Sequence, residues 1–538
     1  MMNLKKNLKI FTLSFVLALV CLMNVNAEEK DVFTVCKTGC DYDSLLAAKG
    51  QSAVKGKTVK LMEDMVIDTK TAIAIRPDMT LDLGGHTLTV ADGTLLGVYE
   101  NDIVITNGTL SLKGSSMLVA QSNSEKSDVK THLTIDKSLT INAEDIALAV
   151  MPGADSFSLY GITVDIKGKV NAKNFAIILH GDQKAIDPLA PVINIYDGAE
   201  LKSEEDTALY GAGYGFWNIY GGLIEGTEAL SIKSGEYNIK GGTFNAFGKY
   251  VKNPVAHSNG SEPTGAAISI TATEGYEKRV KLNITDGNFN SKNGHALFEG
   301  LTNSTKTAVQ NIEIKGGTFT SKEVAVRVDS AKTLGSFITG GTYSSDVKDY
   351  VKELYTSSLK DGKYLVEENK KVETDNKDVS FESKNPFSNT YKLVVDLIEE
   401  TKEEQGLVEK FYAKNTKIKE ATLLALYDIN VMDGNNVVRM ENGEFTISIA
   451  IDKKLQNYDS YKVVYVGDEL EEIDAKLVDG KIVFTTSHLS TYGIVGVNNA
   501  EVKNPNTGDS VTLFIIFGTL SLMLAFGFMY KYKKIINR

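Results

Sequence analysis

One phrase recurs through the middle of this chain and decides what it can fold into. Two apolar residues at i and i+2 lead into a glycine-rich corner, and another apolar residue closes it. The phrase reads Val192-x-x-Ile195-Tyr-Asp-Gly, Trp217-Asn-Ile219-Tyr-Gly-Gly, Tyr237-Asn-Ile239-Lys-Gly-Gly-Thr-Phe244 and Leu282-Asn-Ile284-Thr-Asp-Gly-Asn-Phe289. It returns as Ile312-Glu-Ile314-Lys-Gly-Gly-Thr-Phe319 and Phe337-Ile338-Thr-Gly-Gly-Thr-Tyr343. Positions 195, 219, 239, 284, 314 and 338 are 24, 20, 45, 30 and 24 residues apart, so one gap holds an insertion. A second phrase, Ala plus an aliphatic, follows at Ala147-Leu148, Ala176-Ile177, Ala208-Leu209, Ala229-Leu230, Ala267-Ile268, Ala296-Leu297 and Ala325-Val326. Self-similarity at such a period is the signature of stacked repeats.

Alternation in the first strand buries every other side chain. Gly at the corner permits a positive φ that a Cβ would penalise. Each repeat then supplies three short strands, and no coil can bury its apolar face alone. This predicts an all-β chain dominated by a right-handed parallel β-helix over residues 28–365. Phe289 and Phe319, after equivalent corners, are expected to stack inside it. The pattern resembles the pectate-lyase-like β-helix superfamily, especially Gly-Gly-Thr-Phe surface proteins of Gram-positive bacteria. Thr80 to Val90 resembles an early coil of that family, and Asp41 to Ala48 would be the helix capping its open end. Leucine-rich repeats need a Leu and Asn spacing that is absent. Beyond residue 376 the phrase stops. Strand-like runs at Tyr391–Leu397, Leu423–Val431, Glu444–Ile451, Ser460–Val466 and Lys481–Thr486, with Asp433-Gly434, Asn442-Gly443 and Asp479-Gly480 turns, predict a β-sandwich over 376–497. Phe484 to Tyr492 resembles the last strand of stalk domains in wall-anchored proteins.

Both termini point outside the cell. Lys5, Lys6 and Lys9 precede an apolar stretch from Ile10 to Met23 and the small-residue site Val25-Asn26-Ala27, which reads as a signal peptide over residues 1–27. At the other end, Asn504-Pro505-Asn506-Thr507-Gly508 follows a linker that starts at residue 498. An apolar span over 511–530 and a basic tail over 531–538 come next. This order of parts resembles the sorting signal of LPXTG-like cell-wall-anchored proteins, with Asn504 where Leu is usual. The resemblance implies that a sortase cuts between Thr507 and Gly508 and joins Thr507 to peptidoglycan, the chain spanning the membrane until then. An ordinary membrane anchor is the other reading.

Removing the leader, with three Lys, and the tail, with a net +3, moves the formal charge from −11 to −17. So acidic a surface argues against nucleic acid or anionic lipid as a partner. Cys36 and Cys40 remain; outside the cell they would close a short disulfide loop of modest stabilisation. With the six His scattered, no pattern calls for a metal or a cofactor.

Sugar hydrolysis needs a pair of carboxylates. Between residues 30 and 345 there is no Asn-x-Asp, Asp-Asp or Gly-His-Gly of the polygalacturonase-like kind, and Arg279-Val280-Lys281 matches its Arg-x-Lys motif alone. Arg327 reads as a solvated surface residue. No catalytic residue is assigned, and binding is expected ahead of catalysis, with a polysaccharide lyase or hydrolase and a passive spacer as alternatives. Trp217, in register with Tyr237 and Leu282, belongs to the core. Tyr196, Phe216 and Tyr220 fall on outward positions and form the candidate ligand-binding patch for a glycan or a host surface protein. Asp197, Asn218 and Glu225 are near enough to bond sugar hydroxyls, unless the insertion from Phe247 to Gly265 covers the patch.

Thr507→Ala is expected to leave the protein in the membrane fraction or shed it to the medium. If that variant still needs a murein hydrolase for release, the sortase reading is wrong.

Overall fold

A computed structural model describes residues 32–35 and most of 55–500. Residues 1–31, 36–54, 121–129, 152–160, 181–189, 258–259, 441–442 and 501–538, with a few single positions, lie outside the description. The signal peptide with Ala27, Cys36 and Cys40, the capping segment 41–48, the sorting signal and the apolar span 511–530 therefore all fall outside the described residues. Among those described, no helix is long and apolar enough to cross a membrane.

The chain divides into two compact units, residues 1–369 with 387–389, and 370–386 with 390–538. The first is built from three long, mainly parallel sheets, each taking every third strand in sequence order except at the ends of the first and second. The first sheet runs from Val32–Val35 to Val309–Ile314, the second from Met65–Ile67 to Gly341–Tyr343, and the third from Ala72–Ile75 to Val326–Val328. The coils thus begin well before the repeated phrase becomes regular.

The isoleucine of the phrase explains the register. Ile135, Ile166, Ile195, Ile219, Ile239, Ile284 and Ile314 lie one above another in the first sheet, and Ile338 continues the column. All are buried. The residue closing the corner makes a second column in the second sheet. Phe244, Phe289, Phe319 and Tyr343 stack with ring centroids 4.9, 4.6 and 4.9 Å apart, all fully buried. The Ala phrase fills the third sheet, where Leu148, Ile177, Leu209, Leu230, Ile268, Leu297 and Val326 align. Trp217 is buried on Tyr237, as its position in the phrase requires, with ring centroids 5.7 Å apart.

The corner glycines do what the phrase asks of them. Gly222 sits at φ +92°, and a Cβ there would come within 2.8 Å of the Ala199 carbonyl oxygen in the coil before. Gly317, at φ +98°, would meet the Gly287 carbonyl oxygen at 3.0 Å. Both the conformation and the approach of neighbouring coils exclude a side chain.

The insertion leaves between the strands Thr243–Ala246 and Ile268–Thr273 and lies over the outer face of the third sheet. There Glu228 accepts from Thr264 and Ser269, and Lys233 meets Glu262 at 2.5 Å, all fully or almost fully buried. At the last coil a hairpin, Tyr355–Lys360 with Lys363–Glu368, adds antiparallel to Gly341–Tyr343. A bare strand edge is a template for aggregation, and the hairpin covers it.

The second unit contains two antiparallel sheets of five and six strands. The five expected strands all occur, with Leu423–Val431 forming part of the longer Ile418–Asp433. Two features differ from expectation. A helix, Lys402–Tyr412, opens on a capping box in which Thr401 and Glu404 satisfy each other's ends. The segment from Phe484 to Tyr492 is not one strand: Lys481–Thr486 ends in one sheet and Thr491–Asn499 begins in the other. Phe484 and Tyr492 meet with ring centroids 5.3 Å apart.

Removing one ring from the aromatic column leaves a void between two others. Phe319→Ala is expected to cost about 3–5 kcal/mol, read as a lowered melting temperature. A nearly unchanged transition would mean that the column contributes little to the core.

Candidate ligand-binding face

The outer face of the first sheet carries a long row of polar groups repeated in register; shorter asparagine rows, Asn290 to Asn245 to Glu225 and Asn171 to Asn142, run on the second sheet. In each strand one residue between the two inward apolar positions points out. These are Asp165, Asn194, Asn218, Asn238, Asn283 and Glu313, aligned coil by coil. The four asparagines form a hydrogen-bonded ladder. The Nδ2 of Asn283 donates to Oδ1 of Asn238 at 3.1 Å, Asn238 to Asn218 at 3.3 Å, and Asn218 to Asn194 at 3.0 Å. Asn194 donates to Oδ1 of Asp165 at 2.8 Å. An amide has two N–H groups and two carbonyl lone pairs. The ladder uses one of each at Asn194, Asn218 and Asn238, leaving each of these one further donor and one further acceptor, whereas Asn283 at the end donates without accepting.

His132 holds the head of this row. Its Nε2 lies 3.1 Å from Oδ2 of Asp165 and its Nδ1 3.2 Å from Oδ1 of Asp102, so the imidazole bridges carboxylates of the coils on either side. The hydrogen bond to Asp165 raises the His132 pKa, against burial that would lower it. Burial alone would raise Asp165, but the hydrogen bonds of His132 and Asn194 outweigh it and hold that carboxyl below its ordinary value.

Aromatic residues flank the row on both sides. Tyr196 and Tyr220 are outward and stack on each other with centroids 5.4 Å apart. Lys167 lies 5.1 Å from the Tyr196 ring centre and Lys240 4.9 Å from that of Tyr220. The stack runs along the solenoid, so its ring faces are taken by each other and by the two ammonium groups. Ring edges remain for a ligand; the Tyr196 hydroxyl is engaged with the Asp165 carboxylate, and burial together with that carboxylate raises its pKa. Phe216 belongs to the opposite flank, separated from Tyr220 by Asn218. It makes an edge contact with Tyr214, whose hydroxyl donates to Glu236 at 2.7 Å. Lys281 closes that group with a 2.7 Å bond to the same Glu236 oxygen. Burial would raise the Glu236 pKa, but the bonds from Lys281 and Tyr214 bring it below its ordinary value.

The three residues singled out from sequence are therefore on one face but not in one patch. Of their three suggested polar neighbours, Asn218 is in the ladder, whereas Glu225 lies on the second sheet and accepts from Asn245 at 3.2 Å. Asp197 occupies the corner between the sheets. The described residues of the insertion pack on the third sheet and do not cover this face. Arg327 points outward and stays 30% exposed, but it is held in place: it grips Asp329 with bonds of 2.9 and 3.1 Å, reaches Tyr250 of the insertion at 3.3 Å, and lies over Phe298. Among the described residues no group of three His, Cys, Asp or Glu is placed to hold a metal ion. Comparison with protein-family models, with curated proteins and with solved structures finds no match.

The raised His132 pKa makes a signed prediction. A group whose folded pKa exceeds its unfolded value, about 6.5 for histidine, stabilises the fold below that value. It loses that contribution as pH rises through the folded pKa. The difference in melting temperature between the wild type and His132→Gln is expected to be larger at about pH 5.5 than in mildly alkaline buffer. A difference constant across that range would show that the bridge carries no charge.

Proposed function

We propose that this is an exported, sortase-anchored surface protein in which a right-handed parallel β-helix binds glycans and a β-sandwich stalk holds it off the wall. Peptidoglycan is its covalent attachment and a neutral glycan, from host or diet, its ligand. The observation that carries the reading is the asparagine ladder on a sheet face that no described segment covers. It offers unused amide donors and acceptors at each coil, between aromatic flanks. Sugar hydroxyls pair with planar amides in this way, and the apolar faces of sugar rings suit aromatic edges. The acidic composition and the ordered terminal signals support display outside the cell.

Binding is favoured over sugar hydrolysis by the charge state of this face. A glycosidase needs one carboxyl kept protonated beside one that is ionised. Asp165 and Glu236 are both held below their ordinary pKa, so neither is suited to donate a proton at neutral pH.

A glycan array probed with residues 28–500 tests the proposal. Wild type should be retained on a subset of neutral glycans, and Asn218→Ala with Asn238→Ala should lose most of that retention with a similar melting temperature. Replacing Tyr196, Phe216 and Tyr220 by Ser should weaken it less, because the ring faces of the tyrosine stack are already occupied. Full retention by the asparagine variant would place the ligand elsewhere.

A further inference from the structure

The asparagine ladder has a direction, and its two ends compete to set it. Turned over together, the four amides would still give and take one bond each among themselves. The choice is made at the termini. An ionised carboxylate has no proton to give. With Asn194 donating to Asp165, the row runs one way; reversed, the Asn194 carbonyl would face that carboxylate. At the other end the argument is inverted. Asn283 aligns with Glu313, and only the reversed ladder would let it donate there.

The two carboxylates are not equally placed. Asp165 has a side chain 13% exposed and is braced by His132 at 3.1 Å. Glu313 is 34% exposed and turns to Lys315 at 3.1 Å instead. Around His132 stand Asp102 from the coil before, and Asp165 and Lys167 from the coil after. We propose that Asp165, braced by His132, is the positioning residue of this face: it fixes the direction of the amide ladder and so the direction in which a chain-like ligand lies on it. Because every amide is turned the same way, the unused N–H and lone pair follow in the same order at each coil. A polymer with distinct ends, such as an unbranched neutral glycan, then fits in one orientation. This last step rests on the glycan reading above; the ladder direction does not.

Asp165→Asn removes the acceptor-only terminus and leaves Glu313 as the only carboxylate in the row. The ladder is then expected to reverse. Side-chain amide resonances of the full chain, labelled with ¹⁵N-asparagine and assigned by single Asn→Ala variants, read this directly. In the wild type the Asn194 amide should shift as His132 titrates, while the Asn283 amide stays insensitive to acid. In Asp165→Asn the His132 response of Asn194 should vanish, and Asn283 should follow the titration of Glu313. Adding Glu313→Gln should abolish that response and split the amide signals into two sets. An Asn283 amide that behaves identically in wild type and Asp165→Asn overturns the proposal. On the neutral-glycan array, Asp165→Asn should change which chains are retained, with a melting temperature no lower than that of His132→Gln. If the amides behave as expected and the wild type retains no neutral glycan, the glycan reading fails and the ladder assignment stands.

Discussion

Coils stacked about 4.8 Å apart leave a side chain little choice of neighbour. What points inward in one coil lands on the same position of the next, so each inward position must be filled by residues that pack on copies of themselves. Isoleucine at the corner and phenylalanine after it satisfy that condition over many coils. A flat ring stacked nearly parallel on a ring at 4.6 to 4.9 Å fills the space between coils. Such pairs contribute about 0.5–1.5 kcal/mol beyond the area they bury. The glycine corners follow from the same constraint, since adjacent turns approach to within a Cβ of each other.

The translation that stacks isoleucines inside also stacks whatever lies between them outside. An asparagine beside each isoleucine therefore becomes a row, and the row becomes a hydrogen-bonded ladder because the coil spacing suits an amide-to-amide bond. Bonds in such a chain polarise one another, so a charge at one end is felt along it. Core and surface of this sheet are two readings of one register. This is why a single acidic residue at the head, Asp165, has consequences for amides several coils away.

Much of this was legible in the chain because the inward columns are apolar throughout and the one beside the corner is isoleucine in coil after coil. The asparagines were legible too: Asn194, Asn218, Asn238 and Asn283 stand inside the repeated phrase itself. Of the four only Asn218 was expected to bond a ligand, as a neighbour of the aromatics, and the stacking of Tyr196 on Tyr220 shows why bulk was a poor guide, since rings one coil apart cover each other's faces. The His132 bridge was not legible. Asp102, His132 and Asp165 come from three successive coils, and around residue 102 the phrase has lost its glycine pair. Asn107, at φ +57°, and Gly108 make that corner instead. In the second unit, the helix after Thr401 carried a readable signal, Thr-x-x-Glu, that a search for strands alone left unused.

The third sheet shows what register tolerates. Twenty-one residues separate Ala246 from Ile268, yet Leu230 pairs with Ile268 and Ile232 with Ile270 as if nothing intervened. Extra chain is harmless at a corner because the strands on either side still meet their neighbours, whereas one residue added within a strand would turn every inward side chain out. Once it leaves the corner, the insertion must satisfy the sheet it covers. It does so with charge, through Lys233 and Glu262 and through Glu228 with Thr264. Removing one partner of a buried pair costs more than the pair itself gains, because the other charge is left unpaired. The covered face is thus committed to its insertion. Among the described residues no such segment lies over the first sheet, and its polar row, half satisfied within itself, keeps bonds to give, as does the shorter asparagine row of the second sheet.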